Sequence, residues 1–167
     1  MLPAFCALTL ALFSGCAGYQ VGPTNGRKAG SASVEIVPLQ NTTLEPRLGD
    51  AVTQALRKQL QRDGTFRLGT SGESDIVLTG TVTKYYRQEL SLVAGDLATA
   101  RDYYVWITVQ VTARERTGGK VLFDQPVTGK TLIRVGSDLT STERRALPLL
   151  AEEVAKPAIS LLVDGSW

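Results

Sequence analysis

Histidine is absent from the 167-residue sequence, and cysteine, methionine and tryptophan are scarce, at two, one and two copies. Without histidine, the chain lacks the commonest general base and the commonest metal ligand. The formal net charge is only +2, which does not suggest the concentrated basic stripe that nucleic-acid-binding proteins carry. We therefore predict a non-catalytic protein with no metal site, no cofactor and no nucleic-acid partner.

Motifs of other catalytic classes are missing as well. The sequence has no glycine-rich phosphate loop after a strand, no paired-cysteine spacing and no G-x-S-x-G turn. Its acids stand singly at predicted turns and caps, and the adjacent pair Glu152-Glu153 falls on the polar face of a predicted helix. A catalytic carboxylate pair is the alternative, but nothing in the sequence indicates the perturbing environment that such a pair needs.

One apolar run, residues 2–17, is shorter than the roughly 20 residues that span a bilayer as a helix. It has the length of a signal-peptide core, with small residues at its end. Phe13-Ser14-Gly15-Cys16 resembles the box that closes a bacterial lipoprotein signal, at three of four places. The resemblance implies a signal peptide over residues 1–15, a membrane anchor on acylated Cys16, and sorting to the outer membrane because Ala17 follows. A buried apolar segment with an incidental cysteine is the alternative.

A strand and an amphipathic helix are predicted over residues 34–64. β-Branched residues favour the strand, and Pro38 ends it because proline cannot donate to a ladder. Pro46 suits the first helical position, and Gly64 can adopt the left-handed conformation that ends a helix. An apolar stripe that steps by four along the helix predicts one buried face: Leu48, Val52, Leu56 and Leu60.

Three further strands are predicted from apolar residues at every second position, over residues 75–86, 103–115 and 121–135. Residues 88–100 are expected to form a loop between the first two. Thr117-Gly118-Gly119-Lys120 predicts a two-residue hairpin turn, because glycine accepts positive φ. Pro126 implies an edge position or a bulge in the last strand.

A second helix should close the chain. Thr140 and Glu143 have the spacing of a capping box, and Pro148 and Pro157 predict a kink or two separate pieces. The order β-α-β-β-β-α favours an α+β, two-layer sandwich: a mostly antiparallel four-stranded sheet with two helices on one face. We expect a single α+β domain over residues 34–167, preceded by a lipidated tether over residues 16–33.

The sheet face turned away from the helices is the candidate partner face. Strand alternation places Tyr85, Tyr104 and Trp106 on it, among threonines. Aromatic and cationic side chains together suit a protein interface or a phosphorylated amphiphile. An ordinary antiparallel sheet with one solvated face is the alternative. The basic residues expected on this face or at its ends are Arg87, Arg114, Lys130 and Arg134.

From Cys16 onward the chain resembles the LptE family of lipopolysaccharide-assembly lipoproteins. The resemblance lies in Gly18-Tyr19 after the lipid cysteine, in the strand and helix of residues 34–64, in SDIVLTGTVTKYY and in YYVWITVQVTARE with its hairpin. It continues in the final run ERRALPLLAEEVAKPAISLLVDGSW. The order and lengths of these segments carry the resemblance, because no single motif among them is diagnostic.

The resemblance implies a non-catalytic protein on the periplasmic side of the outer membrane. Family members plug the lumen of the LptD β-barrel, help it fold and bind lipopolysaccharide, so LptD and lipopolysaccharide are the expected partners. The basic loop positions that contact lipid in the family have no residue-by-residue match here. From charge and predicted placement alone, the candidate lipopolysaccharide-binding residues are Arg87, Arg101, Lys130 and Arg134.

Two other functions remain open at this stage. A lipoprotein that activates a penicillin-binding cell-wall synthase would share the P-x-x-N-x-T and S-D-x-V-L-x-G segments, although such proteins usually carry a longer tether. A small envelope hydrolase is disfavoured by the missing histidine.

Overall fold

The computed structural model describes residues 30–70, 72–93, 96–134 and 138–165, without the side chains of residues 91–93 and 96–101. The predicted signal peptide, Cys16 and most of the predicted tether therefore lie outside the described residues. Within these ranges, eight elements follow one another: β1 (Ser33–Ile36), β2 (Gln40–Asn41), α1 (Leu48–Asp63), β3 (Arg67–Leu68), β4 (Ile76–Val93), β5 (Asp96–Glu115), β6 (Val121–Arg134) and α2 (Leu139–Asp164).

The first helix has the predicted buried stripe, since Leu48, Val52, Leu56 and Leu60 are all fully buried. Its end is also as predicted, because Gly64 has a φ of 75° and its N–H donates to the carbonyl of Leu60 at 3.2 Å. The predicted start is wrong by two residues. Pro46 lies in the turn before the helix and not at its first position.

The sheet is mixed and six-stranded, so the prediction of a mostly antiparallel four-stranded sheet is wrong in detail. Its order is β3-β1-β4-β5-β6, and β2 pairs with β4 beyond the end of β1. β1 is parallel to both β3 and β4, and β2 is parallel to β4, whereas β4, β5 and β6 are antiparallel. The parallel pair β1–β3 arises because α1 carries the chain back across the sheet, as a helical crossover does.

The hairpin between β4 and β5 is much longer than predicted, because the described residues of the expected loop over residues 88–100 belong to the two strands. β4 runs to Val93 and β5 begins at Asp96, with register shifts between Glu89 and Val93. These residues lack apolar alternation, yet main-chain pairing does not require it. The hairpin after β5 lies where predicted, with Gly118 at a φ of 85° and Gly119 at 68°. Its loop is wider than two residues, since the strands end at Glu115 and resume at Val121.

Helix α2 is a single continuous helix, so the predicted division into two pieces is wrong. Pro148 and Pro157 lie within it, and both are exposed, so carbonyl groups that lose a helical partner there can bond to water. The predicted capping box is also wrong. The N-cap is Asp138, whose carboxylate accepts hydrogen bonds from the N–H groups of Thr140 at 2.9 Å and Ser141 at 3.3 Å.

Both helices pack on one face of the sheet, as predicted, and one continuous core lies between the two layers. A salt bridge of 2.8 Å from Lys58 to Glu152 joins the helices at the surface. Helix α2 lies close to β6 at Gly129, where an added Cβ would lie 2.8 Å from Cγ2 of Val154. β6 forms the outer edge of the sheet, which confirms the edge position inferred from Pro126.

Candidate functional site

The described helices cover one face of the sheet and not the other. Along β5, Val105, Ile107 and Val109 point toward the helices and are buried. The alternate residues Tyr104 and Trp106 point the other way and are partly exposed, as the alternation predicts. Neither described helix packs on this second face, which we call the outer face. It is a continuous surface that no other described element covers.

Four side chains form an aromatic–cation patch on the outer face: Tyr86, Tyr104, Trp106 and Lys130. The rings of Tyr86 and Trp106 are stacked at 4°, with centroids 6.1 Å apart, and Tyr104 meets Trp106 edge-on at 6.3 Å. The Nζ of Lys130 lies 5.0 Å from the centroids of both Tyr104 and Trp106. Cross-strand pairing brings them together, because Trp106 lies opposite Tyr86 on β4 and Lys130 on β6. Each cation–π contact contributes about 0.5–1 kcal/mol at an exposed site.

Trp106 carries the one buried side-chain nitrogen or oxygen that has no hydrogen-bond partner within the described residues, its Nε1. A buried donor without an acceptor costs about 1–3 kcal/mol. The patch therefore contains one buried hydrogen-bond donor that has no acceptor among the described residues. An acceptor that arrives with a partner would remove this cost.

The other half of the outer face, around Asp124, is polar, and its side chains form hydrogen bonds with one another. Oδ1 of Asp124 accepts hydrogen bonds from Nε2 of Gln110 and Oγ1 of Thr112, and these bonds hold the pKa of Asp124 below its ordinary value. The hydroxyl groups of Thr108 and Thr128 lie 3.4 Å apart. These contacts are all made within the sheet itself.

Tyr85 does not lie on the outer face, so its predicted placement with Tyr104 and Trp106 is wrong. A register shift between Val82 and Lys84 inserts one residue into β4 and reverses the alternation beyond it. Tyr85 then pairs with Ile107 and turns toward the helices, where its hydroxyl donates to Oε1 of Glu143 at 3.3 Å. Burial, and then the nearby Glu143 carboxylate, raise the pKa of Tyr85 above its ordinary value. Tyr86 takes its place in the patch, which strand alternation did not predict.

The four candidate basic residues are not brought together. Arg87 lies on the helix side of β4, beside Glu143, with its Nη1 3.4 Å from Oε1. Lys130 lies in the aromatic–cation patch. Arg134 lies on the outer face near the end of β6, where its Nε donates to Oδ1 of Asp102 at 2.8 Å and this bond raises its pKa. Arg101 belongs to β5, but its side chain is outside the described part of the chain.

A groove of about 840 Å³ lies beside the patch, between the β2–α1 loop and the shifted part of β4. Leu44 projects from this loop fully into solvent at the groove wall. The loop is held by its own bonds, since Oδ1 of Asn41 accepts from N and Oγ1 of Thr43 at 3.0 and 2.8 Å. The sequence pattern did not predict the exposed leucine. The groove is lined by Thr42, Thr43, Leu44, Glu45, Thr83, Lys84, Tyr85, Tyr86, Arg87 and Glu143.

Across the described ranges, no group of three or more His, Cys, Asp or Glu residues could hold a metal ion. Nor does any helix among these residues have the length and hydropathy to cross a membrane.

Solved structures with a similar fold come from several bacteria. A protein of Chlamydia trachomatis superposes with a TM-score of 0.60 at 8% identity, covering 80% of this chain and 96% of its own. A protein of Xanthomonas campestris gives 0.60 at 11% identity, with 87% and 92% covered. A minor lipoprotein of Acinetobacter baumannii gives 0.53 at 14% identity, with 80% and 93% covered. At such identities the likeness establishes the fold alone.

The sequence comparisons identify the family. No curated protein matches the chain at a significant level. The family model described as "LptE: Lipopolysaccharide-assembly" matches residues 31–160, which span β1 through most of α2. This match covers well over half of the chain and agrees with the segments that carry the resemblance in the sequence. The chain therefore belongs to the LptE family of lipopolysaccharide-assembly proteins.

Proposed function

We propose that this chain is a non-catalytic outer-membrane lipoprotein that plugs the LptD β-barrel, assists its assembly and helps deliver lipopolysaccharide to the cell surface. The observation that carries the proposal is the family match over residues 31–160. In the proposed arrangement acylated Cys16 anchors the chain on the periplasmic side of the membrane. Acyl chains bind a bilayer by burying methylene groups, at about 0.8 kcal/mol each.

The outer face is the surface we assign to the barrel. A sheet with one face that the described helices leave uncovered can lie flat against the inner wall of a barrel. The aromatic–cation patch would form the centre of the contact, because aromatic residues dominate protein interfaces. The buried, unpaired N–H of Trp106 supports this assignment, since a partner acceptor would relieve its cost.

Among the four candidate basic residues, Lys130 is the best placed to meet a phosphate of lipopolysaccharide. It lies on the outer face, whereas Arg87 is turned toward Glu143 and Arg134 is bonded to Asp102. A cation already held over two rings loses less side-chain freedom when it binds an anion. We keep Arg87, Arg101 and Arg134 as secondary contacts.

The test is copurification from the native host, with the chain carrying its own signal and a carboxy-terminal tag. We expect a large outer-membrane β-barrel in equal stoichiometry and an acylated Cys16 by mass spectrometry. Trp106→Ala combined with Lys130→Glu should reduce barrel recovery at least about tenfold. Thr112→Ala, in the satisfied half of the same face, is the matched control and should leave recovery unchanged.

Two results would overturn the proposal. Recovery of a cell-wall synthase without a barrel would replace the proposed partner. Equal recovery of the barrel by the double variant and by the wild type would refute the patch as the contact, while leaving the partner in place. Lipopolysaccharide binding is read separately, by its coelution with the Lys130→Glu and wild-type proteins.

A further inference from the structure

The outer edge of β6 is open and regular. Its pairing with β5 runs from Phe123 to Arg134 without a register shift, and no described strand lies on its other side. After Pro126 the strand continues for eight residues without another proline or a glycine bulge. An edge of this kind is a template for another strand, which proteins commonly hinder with proline or lysine. β6 carries one of each, Pro126 and Lys130, and only Pro126 lacks an outward N–H.

Pro126 shows which backbone groups point outward. It pairs with Gln110 within an unbroken ladder, and its nitrogen carries no hydrogen, so that nitrogen must point away from β5. Because an antiparallel ladder alternates, every second residue repeats this orientation. The N–H and C=O groups of Thr128, Lys130, Leu132 and Arg134 therefore point away from the sheet.

The side chains along this edge are complementary to themselves under a two-fold rotation. Asp124 and Arg134 stand ten residues apart on the outer face, so an axis at Gly129 places each opposite the other in a second copy. Their described bonds use Oδ1 of Asp124 and Nε of Arg134, and so Oδ2 and the terminal guanidinium nitrogens can meet across the axis. The same register sets Leu132, which is 54% exposed, against Pro126.

On the side of the sheet where the helices pack, this edge also presents apolar surface. A groove of about 480 Å³ lies between β6 and the end of α2, and Val127, Pro157 and Leu161 are among its lining residues. The corresponding groove of a second copy would lie across the axis. Pairing at the edge would therefore also remove apolar surface from water.

We propose that β6 pairs with β6 of a second copy, antiparallel about a two-fold axis at Gly129, and forms a homodimer with one continuous sheet. This goes beyond the role as a barrel plug, because it concerns the protein before or outside its complex with the barrel. The central pairs exchange N–H···O bonds between Thr128 of one copy and Lys130 of the other. Self-pairing would protect the edge from other strands.

The experiment is native mass spectrometry of the full chain in detergent, overproduced without the barrel, over a range of concentrations. Thr128→Pro removes an outward N–H that only the second copy uses, and Pro126 shows that the ladder with β5 tolerates proline at this parity. Thr128→Val is the matched control, since it also loses the hydroxyl contact to Thr108 but keeps the N–H. We expect dimers for the wild type and Thr128→Val, and a dimer Kd at least about tenfold higher for Thr128→Pro.

A charge-reversal pair tests the same register without a proline. Asp124→Arg alone and Arg134→Asp alone should each weaken the dimer, and the two together should restore it. Circular dichroism verifies folding, and the charge pair decides the question if Thr128→Pro does not fold. A monomeric wild type at every concentration would overturn the proposal. So would a dimer that neither the proline nor the single reversals weaken.

Discussion

The inner and outer faces of the sheet are built from the same strands, yet their side chains differ in whether the described residues provide all their contacts. On the inner face, Ile107 and its neighbours are fully buried under two helices and need nothing further. On the outer face, Trp106 packs within a patch of aromatic rings and a lysine, and its indole N–H has no acceptor among the described residues. Adjacent residues in one strand thus serve different ends.

This difference shows how one sheet can separate stability from recognition. Substitutions on the inner face should lower the free energy of unfolding, and substitutions in the patch should affect binding with little change in stability. Within the outer face the same contrast recurs, because the half around Asp124 is satisfied and the half around Trp106 is not.

The largest effect is expected for Ile107→Ala. The side chain is fully buried between the sheet and the helices, and its truncation leaves a cavity. We expect the free energy of unfolding to fall by about 2–5 kcal/mol, measured by urea denaturation. Its neighbour Thr108→Ala, on the outer face, should cost less than about 1 kcal/mol. Equal losses at the two positions would refute the separation of the faces.

Gly129→Ala should cost about 1–3 kcal/mol of unfolding free energy. The new Cβ would lie 2.8 Å from Cγ2 and 3.1 Å from the backbone nitrogen of Val154, so α2 would have to move. The double variant Gly129→Ala/Val154→Ala should cost less than the sum of the single variants, because the shorter side chain makes room. Strict additivity would mean that the helix does not contact the sheet at this point.

The cap of α2 should make stability depend on pH. The hydrogen bond from Ser141, with those from the backbone, lowers the pKa of Asp138 below 3.8. A group with a depressed folded-state pKa stabilises the fold above its unfolded-state pKa, and this contribution is lost as the pH falls through the folded-state value. Asp138→Ala should therefore lower the Tm at pH 7 and flatten the acid side of the Tm profile.

Asp138→Asn is the matched variant for the cap, since asparagine also caps helices but does not titrate in this range. It should keep most of the Tm at pH 7 while losing the acid dependence. A Tm profile unchanged from the wild type in both variants would mean that Asp138 does not cap the helix in solution.

The smallest effect is expected for Trp106→Phe. Phenylalanine keeps a ring between Tyr86 and Lys130 but removes the unpaired N–H, so the loss of area is offset by the loss of an unsatisfied donor. The change in unfolding free energy should stay within about 0.5 kcal/mol. A loss above about 2 kcal/mol would show that the indole N–H is bonded in solution.

The sequence was sufficient to predict the elements whose periodicity reflects burial. Apolar residues recur at every second position of β5 and at every fourth position of α1, and in both elements these residues are buried as predicted. The two-residue strands β2 and β3 are too short to show a period. Their parallel pairing depends on the crossover through α1, which no local pattern records.

The candidate site was predicted only in part, for two physical reasons. The register shift before Lys84 turns Tyr85 inward and Tyr86 outward. The one local sign of it in the sequence is the charged Lys84 at the parity of Ile76, Leu78 and Val82, and this sign does not show how the strand continues. Asp138 and Thr140 are both good capping residues, and only the backbone decides between them. The shift lies in β4, so it does not change which face the residues of β5 and β6 occupy. The predicted placement of Tyr104, Trp106 and Lys130 on the outer face is therefore correct.

The position of α2 after all the described strands has a consequence for the order of folding. The inner face of β6 is covered by this 26-residue helix, with Gly129 against Val154. During synthesis from the amino terminus, this inner face therefore stays exposed until α2 has followed the strands. The hairpins of β4, β5 and β6 can form early from local contacts, but the apolar layer beneath β6 closes only when α2 packs on it. Closure of the core thus depends on a helix that is made after the sheet it covers.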